Sequence, residues 1–166
     1  MISAIVAVNN NWGIGYQGKL LETIPEDLKR FKQLTTGNGV VMGRKTWDSL
    51  PIKPLPNRFN IIISRHSVQY QQESFCWWTS LEECLMTILN DDISDYYIIG
   101  GEIIYKTLLN LCDRVYVTKI YKNHENVDAY FPNLDHLVGE WKVTSISDMY
   151  TQEDFTYQFL TYDRIY

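Results

Sequence analysis

Short apolar runs rich in branched residues alternate with helical patterns along the first two thirds of the chain. Strands are predicted at residues 2–8, 40–42, 60–64, 75–78, 96–99 and 114–120. Helices are predicted from Pro25 to the stretch at 35–38, at residues 44–50, after a cap at Ser80, and at residues 102–109. This alternation predicts an α/β fold whose central, mostly parallel sheet is flanked by about four helices on its two faces.

The pattern changes in the last quarter of the chain. From residue 141 onward it indicates two strands joined by a turn near residues 148–154, which predicts an antiparallel C-terminal edge. The sequence of 166 residues contains no repeat, low-complexity tract or linker. We therefore expect a single domain over residues 1–166.

The first strand is followed by a long polar segment, residues 9–23, which we call the lid segment. Its length favours a functional lid over a simple connection. Residues 13–18 match the G-x-G-x-x-G pattern of dinucleotide-binding turns. That pattern requires a helix to begin directly after the glycines, whereas the next predicted helix begins only at Pro25. We interpret the glycines as part of a flexible loop that permits positive φ angles.

Composition and charge narrow the classes of partner. The formal net charge of −5 disfavours nucleic acid and anionic membranes. Cys76, Cys84 and Cys112 have no C-x-x-C spacing and the histidines are scattered, so reduced thiols and no metal site are expected. The N-terminal apolar run lacks a basic region, so we interpret it as a strand rather than a signal peptide. A cytoplasmic protein is expected, with no membrane association.

Two strand–glycine–helix turns are candidate phosphate sites. In the first, residues 40–46, Gly43 separates a buried strand from a helix whose unpaired N–H groups can receive a phosphate. Thr46 adds a hydroxyl group there, and Arg44 and Lys45 add positive charge.

Residues 98–102 repeat the arrangement with two adjacent glycines, and the Ser64-Arg65 pair follows a third strand. Taken singly, each turn could be an ordinary connection with surface charges. As a pair at the carboxyl ends of parallel strands, they indicate a cofactor that carries a diphosphate.

Asp27 is a candidate binding carboxylate. Leu28 and Phe31 are expected to face the core, which would direct Asp27 along the same face toward a cleft. A carboxylate there can accept two parallel N–H bonds from a flat, amidine-like heterocycle. The alternative is an acid placed at a helix start, where the helix dipole favours it.

These motifs together resemble the dihydrofolate reductase family, bacterial chromosomal type, over residues 1 to about 159. The resemblance rests on AVN at 7–9 with GIG at 13–15, IPEDLKRFK at 24–32, VMGRKTWDSL at 41–50, LPNR at 55–58, IIGG at 98–101 with Tyr105, and VTKI at 117–120. Any one motif alone is weak, whereas the set in this order is specific.

The resemblance implies an NADPH-dependent reduction of dihydrofolate to tetrahydrofolate. It implies that Asp27, supported by Thr118, binds the pterin at N3 and the 2-amino group, and that Arg58, with Lys32, binds the glutamate tail. The implied pocket walls are Ile5, Ala7, Leu28, Phe31, Leu50, Ile99 and Tyr105. The implied cofactor-binding residues are Ala7, Ile14, Gly43, Arg44, Lys45, Thr46, Ser64, Arg65, Gly100, Gly101, Glu102, Ile103 and Tyr105.

Further expectations follow from the resemblance. Hydride would pass to pterin C6, and N5 would gain its proton through water that the lid segment admits and then excludes. Arg44, Ser64 and Arg65 would meet the 2′-phosphate and so favour NADPH over NADH. The family's Gly-Gly bond at 100–101 would be cis. Antifolate inhibitors are expected ligands, and the family favours a monomer.

One departure from the family concerns the residues before the acid-bearing helix. The usual Pro-Trp pair is replaced by Leu21 and Glu22. If Glu22 were buried close to Asp27, each acid would raise the pKa of the other and alter the pH–rate profile. The alternative is that Glu22 simply points to solvent.

Three rival interpretations remain at this point. A pyrimidine reductase of riboflavin synthesis shares the fold and the cofactor, but Asp27, Phe31 and Arg58 suit a pterin and a glutamyl tail better. A binding protein that keeps the folate pocket without turnover has only Leu21 and Glu22 in its favour. A flavodoxin-like electron carrier lacks a convincing loop for the flavin phosphate.

Overall fold

The computed structural model describes residues 1–65 and 75–166. The strands are β1 Ile2–Val8, β2 Gly13–Tyr16, β3 Lys19–Leu20, β4 Gly39–Gly43, β5 Phe59–Ile63, β6 Cys76–Thr79, β7 Tyr96–Gly100, β8 Arg114–Tyr121, β9 Ala129–Tyr130, β10 Trp141–Ile146, β11 Tyr150–Gln152 and β12 Phe155–Arg164. The helices are α1 Pro25–Thr35, α2 Arg44–Ser49, α3 Leu81–Leu89 and α4 Glu102–Leu108. Short 3-10 turns lie at Leu109–Leu111 and Leu134–His136.

A large twisted sheet organises these elements in the order β10-β12-β8-β1-β7-β4-β5-β6, and β11 pairs with β12. The run from β8 to β6 is parallel, whereas β12 pairs antiparallel with β8, β10 and β11. The predicted α/β architecture with an antiparallel C-terminal edge is confirmed. The edge contains three strands rather than the two expected, because a short strand forms at Tyr150–Gln152 within the predicted turn.

The central strands are apolar because both of their faces are covered. Val40, Val41 and Met42 in β4 and Ile61 and Ile62 in β5 have no exposed surface.

Ser80 caps α3 as predicted, since its hydroxyl oxygen accepts the Glu83 backbone N–H at 3.2 Å. Cys84 and Cys112 are buried free thiols, and Cys76 is also buried. None of the helices in the described part of the chain combines the length and apolar composition needed to cross a bilayer.

The lid segment is more ordered than the flexible loop that the sequence predicts. Strands β2 and β3 form a hairpin that pairs with β9 in a separate three-stranded sheet. Gln17 and Gly18 turn the hairpin with φ angles of 50° and 76°. Gly13 and Gly15 are needed for close approach, because an added Cβ would meet Val127 Cγ1 at 2.8 Å and the Lys19 carbonyl oxygen at 2.9 Å respectively. No helix follows these glycines directly, as predicted.

Candidate active site at the carboxyl edge of the sheet

Asp27 lies in the first turn of α1, on the face that packs against the sheet. Ile24 is buried, and Phe31 and Leu34 pack on a core cluster, so Asp27 continues a stripe with spacings of three and four residues. Leu28 does not belong to this stripe, since 48% of its surface is exposed. The prediction that Leu28 faces the core is wrong, because it lies about 100° around the helix from Asp27.

A side chain of the sheet holds the Asp27 carboxylate. Thr118 in β8 donates its hydroxyl proton to Asp27 Oδ1 at 2.5 Å, and Thr118 itself is buried. Burial raises the pKa of Asp27, while the Thr118 hydrogen bond and the positive charge of Arg30 oppose that rise without cancelling it. The structure therefore brings together the two residues to which the resemblance gives a role at the pterin.

Arg30 is a residue that the sequence reasoning missed. Its guanidinium carbon lies 4.7 Å from the centre of the Phe159 ring and 5.4 Å from that of Tyr116. It follows Asp27 by one helical turn, so a cation is held on aromatic rings beside the buried acid. The only available signal was its i,i+3 spacing from Asp27, because the two aromatic partners come from distant strands.

Most of the predicted pocket walls pack in hydrophobic clusters of the core, and one of them, Tyr105, interacts electrostatically with Asp27. Tyr105 is buried and donates its hydroxyl proton to the Ile5 carbonyl oxygen at 2.7 Å. Burial raises the pKa of Tyr105, and the charge of Asp27 raises it further. Ile5, Phe31, Leu50 and Ile99 belong to one core cluster, and Ala7 packs in a neighbouring one.

Arg58 is buried to 4% exposure and is oriented by two contacts. Its Nε donates to the Pro56 carbonyl oxygen at 2.9 Å, and its Nη1 donates to Thr35 Oγ1 at 3.1 Å. Its guanidinium carbon lies 5.8 Å from the centre of the Phe31 ring. Lys32 lies on the exposed side of α1. Arg58 is thus preorganised in the way that a carboxylate-binding fork requires.

A cavity of about 500 Å³ reaches Arg58 from the end of the sheet where β4 and β7 begin. Asp27 and the glycine turns do not line this cavity. This cavity is therefore distinct from the edge formed by Asp27 and the glycine turns.

The two glycine turns converge at the opposite, carboxyl end of β4 and β7. A Cβ built on Gly100 or on Gly101 would lie 3.5 Å from Thr46 Oγ1, so the hydroxyl group stands between the turns. The first turns of α2 and α4 follow Gly43 and Gly101, and neither helix start has a side-chain cap. Their N–H groups and the Thr46 hydroxyl fit a diphosphate. The Gly100–Gly101 peptide bond is cis, as the resemblance implies.

The remaining predicted cofactor residues come from α2, from β2 and from the residues just after β5. Arg44 and Lys45 are exposed at the start of α2, and Arg65 is exposed just after Ser64, which follows β5. Ile14 packs partly on the main core cluster.

Glu102 and Ile103 in α4 are two further predicted cofactor residues. The carboxylate of Glu102 already accepts from Lys106 Nζ at 3.2 Å and from the Tyr130 backbone N–H at 3.1 Å, so its backbone rather than its side chain suits a phosphate. Ile103 is 76% exposed.

The position of Glu22 differs from both of the alternatives that the sequence offered, proximity to Asp27 and exposure to solvent. It neither pairs with Asp27 nor points to solvent: its Oε1 lies 2.9 Å from Lys122 Nζ and 3.0 Å from His124 Nε2, and its side chain is 18% exposed. Burial raises the pKa of Glu22, but hydrogen bonds and charge from Lys122 and His124 hold it below its usual value. Among the groups that shift the Asp27 pKa, Glu22 does not figure.

The chemistry of this edge suits two different ligands. One end offers a buried carboxylate within an apolar wall, and the other offers uncapped helix N-termini, a hydroxyl group and close-packed glycines. A cationic or amidine-like ring and a diphosphate-bearing nucleotide are the complementary partners.

Comparisons with known proteins agree with this arrangement. The family model described as "Dihydrofolate reductase" matches residues 1–164. The dihydrofolate reductase of Mycobacterium leprae is 41% identical over 152 residues, covering 87% of this chain and 90% of that protein. That of Bacillus subtilis is 35% identical and covers 99% and 95%. A solved structure of dihydrofolate reductase from Enterococcus faecalis complexed with NADP(H) and RAB-propyl superposes with a TM-score of 0.84 at 30% identity, covering 99% of this chain and 96% of that one.

Fold, site and comparisons together define an NADPH-dependent oxidoreductase of the α/β class. Within that class, the chain belongs to the dihydrofolate reductase family. The sequence resemblance is thereby confirmed, and the pyrimidine reductase and flavodoxin interpretations are set aside.

Proposed function

We propose that this chain reduces dihydrofolate to tetrahydrofolate, with Asp27 as the anchor of the pterin ring. The observation that carries the proposal is the partly buried Asp27–Thr118 hydrogen bond, together with the two converging glycine turns of the same sheet. Asp27 accepts two parallel N–H bonds from N3 and the 2-amino group of the pterin. Thr118 fixes the carboxylate in the orientation that these two bonds need.

The rest of the substrate lies along the wall residues Ile5, Ala7, Leu28, Phe31, Leu50, Ile99 and Tyr105. The half-exposed Leu28 side chain is suited to such a role, because a bound ring can cover the apolar surface that water now contacts. Arg58 binds the carboxylate of the glutamate tail with the edge of its guanidinium that Pro56 and Thr35 leave free, and Lys32 assists from the helix surface.

NADPH, when bound, supplies the hydride that reaches pterin C6. Gly43, Lys45, Thr46, Gly100, Gly101 and Glu102 hold its diphosphate, largely through backbone N–H groups. Arg44, Ser64 and Arg65 bind the 2′-phosphate, and Ala7, Ile14, Ile103 and Tyr105 contact the rest of the nucleotide. The close approach of Thr46 to both turns supports this assignment, since one hydroxyl group can serve a ligand that bridges them.

The proton for pterin N5 arrives through water rather than directly from Asp27. Asp27 binds the opposite edge of the ring, which places its oxygens too far from N5 for direct transfer. The lid segment admits this water and then excludes bulk solvent, so that the reacting atoms meet in a dry site.

Consumption of NADPH tests the proposal directly. The wild-type protein is expected to lose the near-ultraviolet absorbance of NADPH only when dihydrofolate is added. Asp27→Asn is expected to reduce the rate roughly 100-fold or more, because the ring loses its ionic anchor and its alignment. Asp92→Asn, at an exposed loop position, is the matched control and should leave the rate unchanged.

The competing interpretation is a binding protein that holds both ligands without turnover, and its only support is the replacement at Leu21 and Glu22. Binding of NADPH and dihydrofolate with no absorbance change would favour it over ours. A single domain acting as a cytoplasmic monomer, and binding of antifolate inhibitors in the pterin pocket, remain predictions for sedimentation and titration experiments.

A further inference from the structure

One imidazole ring connects the two ends of the lid segment. His124 Nε2 lies 3.0 Å from Glu22 Oε1, and His124 Nδ1 lies 3.1 Å from Asn9 Nδ2. Asn9 is the first residue of the segment and Glu22 is the last but one. The His124 side chain is 13% exposed and Asn9 is fully buried, so water cannot easily replace either contact.

The orientation of the Asn9 amide is fixed by the backbone. Asn9 Oδ1 accepts the N–H of Asn11 at 3.0 Å and that of Gly13 at 2.8 Å. Reversing the amide would place its NH₂ group against these two backbone donors. The NH₂ group therefore faces His124, whose Nδ1 must accept the hydrogen bond.

This geometry selects one protonation state of His124. A neutral imidazole has one donor and one acceptor nitrogen, so acceptance at Nδ1 places the proton on Nε2, where it is donated to Glu22. A second proton would set an N–H on Nδ1 against the N–H groups of Asn9. Relief requires either rotation of the ring away from Glu22 or reversal of Asn9, which breaks the two hydrogen bonds that shape the start of the lid segment.

The surrounding charges hold a protonated ring at Glu22 and leave the conflict at Asn9. Glu22 lies 2.9 Å from Lys122, which also lies 3.3 Å from Asp154, so two acids share one lysine cation. Lys19 and Glu125 line a cavity of about 340 Å³ together with His124 and contribute opposite charges. A cation on His124 would therefore stay at the Glu22 carboxylate, and the relief falls on the Asn9 contact.

We propose that Asn9, Glu22 and His124 form a clamp of positioning residues, which holds the two ends of the lid segment together only while His124 is neutral, so that acidification releases them. The conformational claim concerns this chain's own contacts. Its consequence for turnover rests on the proposed function.

Nitrogen NMR of the apoprotein tests the conformational claim without any activity. The imidazole ¹⁵N shifts of His124 should report a proton on Nε2 at alkaline pH. The backbone amide signals of Asn11 and Gly13 should then move with the same midpoint as the His124 nitrogens when pH falls. A proton on Nδ1 at alkaline pH would overturn the proposal, as would Asn11 and Gly13 signals that ignore protonation of His124.

Two substitutions make opposite predictions about the pH response. Asn9→Asp keeps an acceptor for Asn11 and Gly13 and adds one for a protonated Nδ1, so acid should tighten the lid instead of releasing it. His124→Gln retains a donor and an acceptor but does not titrate, so the Asn11 and Gly13 signals should become independent of pH. His136→Gln, at an exposed histidine outside the lid segment, is the matched control and should behave as wild type.

NADPH affinity provides the functional readout. On the acid side of the His124 midpoint, wild type should bind NADPH roughly five-fold more weakly than His124→Gln, and the two should agree on the alkaline side. An equal affinity at every pH would overturn the link between the clamp and the site. Failure of the proposed function is distinguishable, because it would appear as absent turnover of dihydrofolate at alkaline pH, where the clamp is intact.

Discussion

Two acidic residues five positions apart show how partners decide the behaviour of a carboxylate. Asp27 meets one neutral hydroxyl group and a cation that is itself held on aromatic rings, so burial dominates and raises its pKa. Glu22 meets Lys122 and His124 within hydrogen-bonding distance, and its pKa is lowered. The fold therefore stabilises the charged form of Glu22, whereas burial in the fold makes the charged form of Asp27 unfavourable.

Asp27→Asn is expected to stabilise the unliganded protein at neutral pH. The folded-state pKa of Asp27 is raised, so the native state disfavours the ionised form, and stability falls as pH rises from the unfolded pKa through the folded one. Asparagine removes that penalty and can still accept from Thr118. A gain of about 1 kcal/mol would raise Tm by roughly 2–4 °C. Thermal melts at neutral and strongly acidic pH should show the difference at neutral pH only; a lower Tm for Asp27→Asn at neutral pH would contradict this.

Thr118→Val should destabilise the protein at neutral pH, in contrast to Asp27→Asn, because it removes a partner of the same carboxylate. The variant keeps the shape of the side chain but removes the donor to Asp27 Oδ1, so the pKa of Asp27 should rise further. Stability at neutral pH should fall by about 1–3 kcal/mol, because a buried acceptor loses its partner. A carbon NMR titration of the Asp27 carboxyl group measures the first effect, and denaturant unfolding measures the second. Thr118→Ser is the control that should restore both.

At the scale of the secondary elements, the site is built where two strands end in glycines and two helices begin without side-chain caps. The sequence predicts both turns because a buried strand, a glycine and a helix start follow one another directly. It does not predict the hairpin within the lid segment, since β2 finds its partner β9 more than 100 residues further along the chain. A pairing of that kind depends on tertiary packing rather than on local pattern.

Gly101→Ala is expected to weaken NADPH binding while leaving the fold intact. Gly101 has a φ angle of −83°, and an added Cβ would contact only Thr46 Oγ1, at 3.5 Å. Alanine therefore fits the protein, but its methyl group occupies the space where a diphosphate would meet the turn. We expect at least a roughly tenfold rise in the NADPH dissociation constant, measured by fluorescence titration, with little change in Tm. Gly139→Ala, where the new Cβ meets nothing, is the matched control. Equal NADPH affinities in the two variants would contradict a diphosphate site at the glycine turns.

At the scale of the whole molecule, the sequence predicts the sheet and the elements that surround the site. It does not predict the contacts between residues that lie far apart along the chain. The strands, their burial and the convergence of their carboxyl ends follow from apolar runs and βα order. The clamp at Glu22 joins residues 102 positions apart, and the rings beneath Arg30 come from β8 and β12, so no local pattern encodes either. The local pattern misplaces Leu28 for a related reason: it shows an apolar residue but not which neighbour covers it.

The stability of the whole chain should report which nucleotide the site holds, because both glycine turns belong to the paired strands β4 and β7 of one sheet. At a free NADPH concentration 100 times its Kd, binding to the folded state alone adds about 2.7 kcal/mol. For a chain of this size that corresponds to a Tm rise of roughly 5–11 °C. NADH at the same concentration should give a smaller rise if Arg44, Ser64 and Arg65 bind the 2′-phosphate, and equal rises would contradict that role.

Dihydrofolate added to the NADPH complex should raise Tm again in wild type but far less in Asp27→Asn, because the two ligands occupy separate ends of the edge and only one of them depends on the carboxylate.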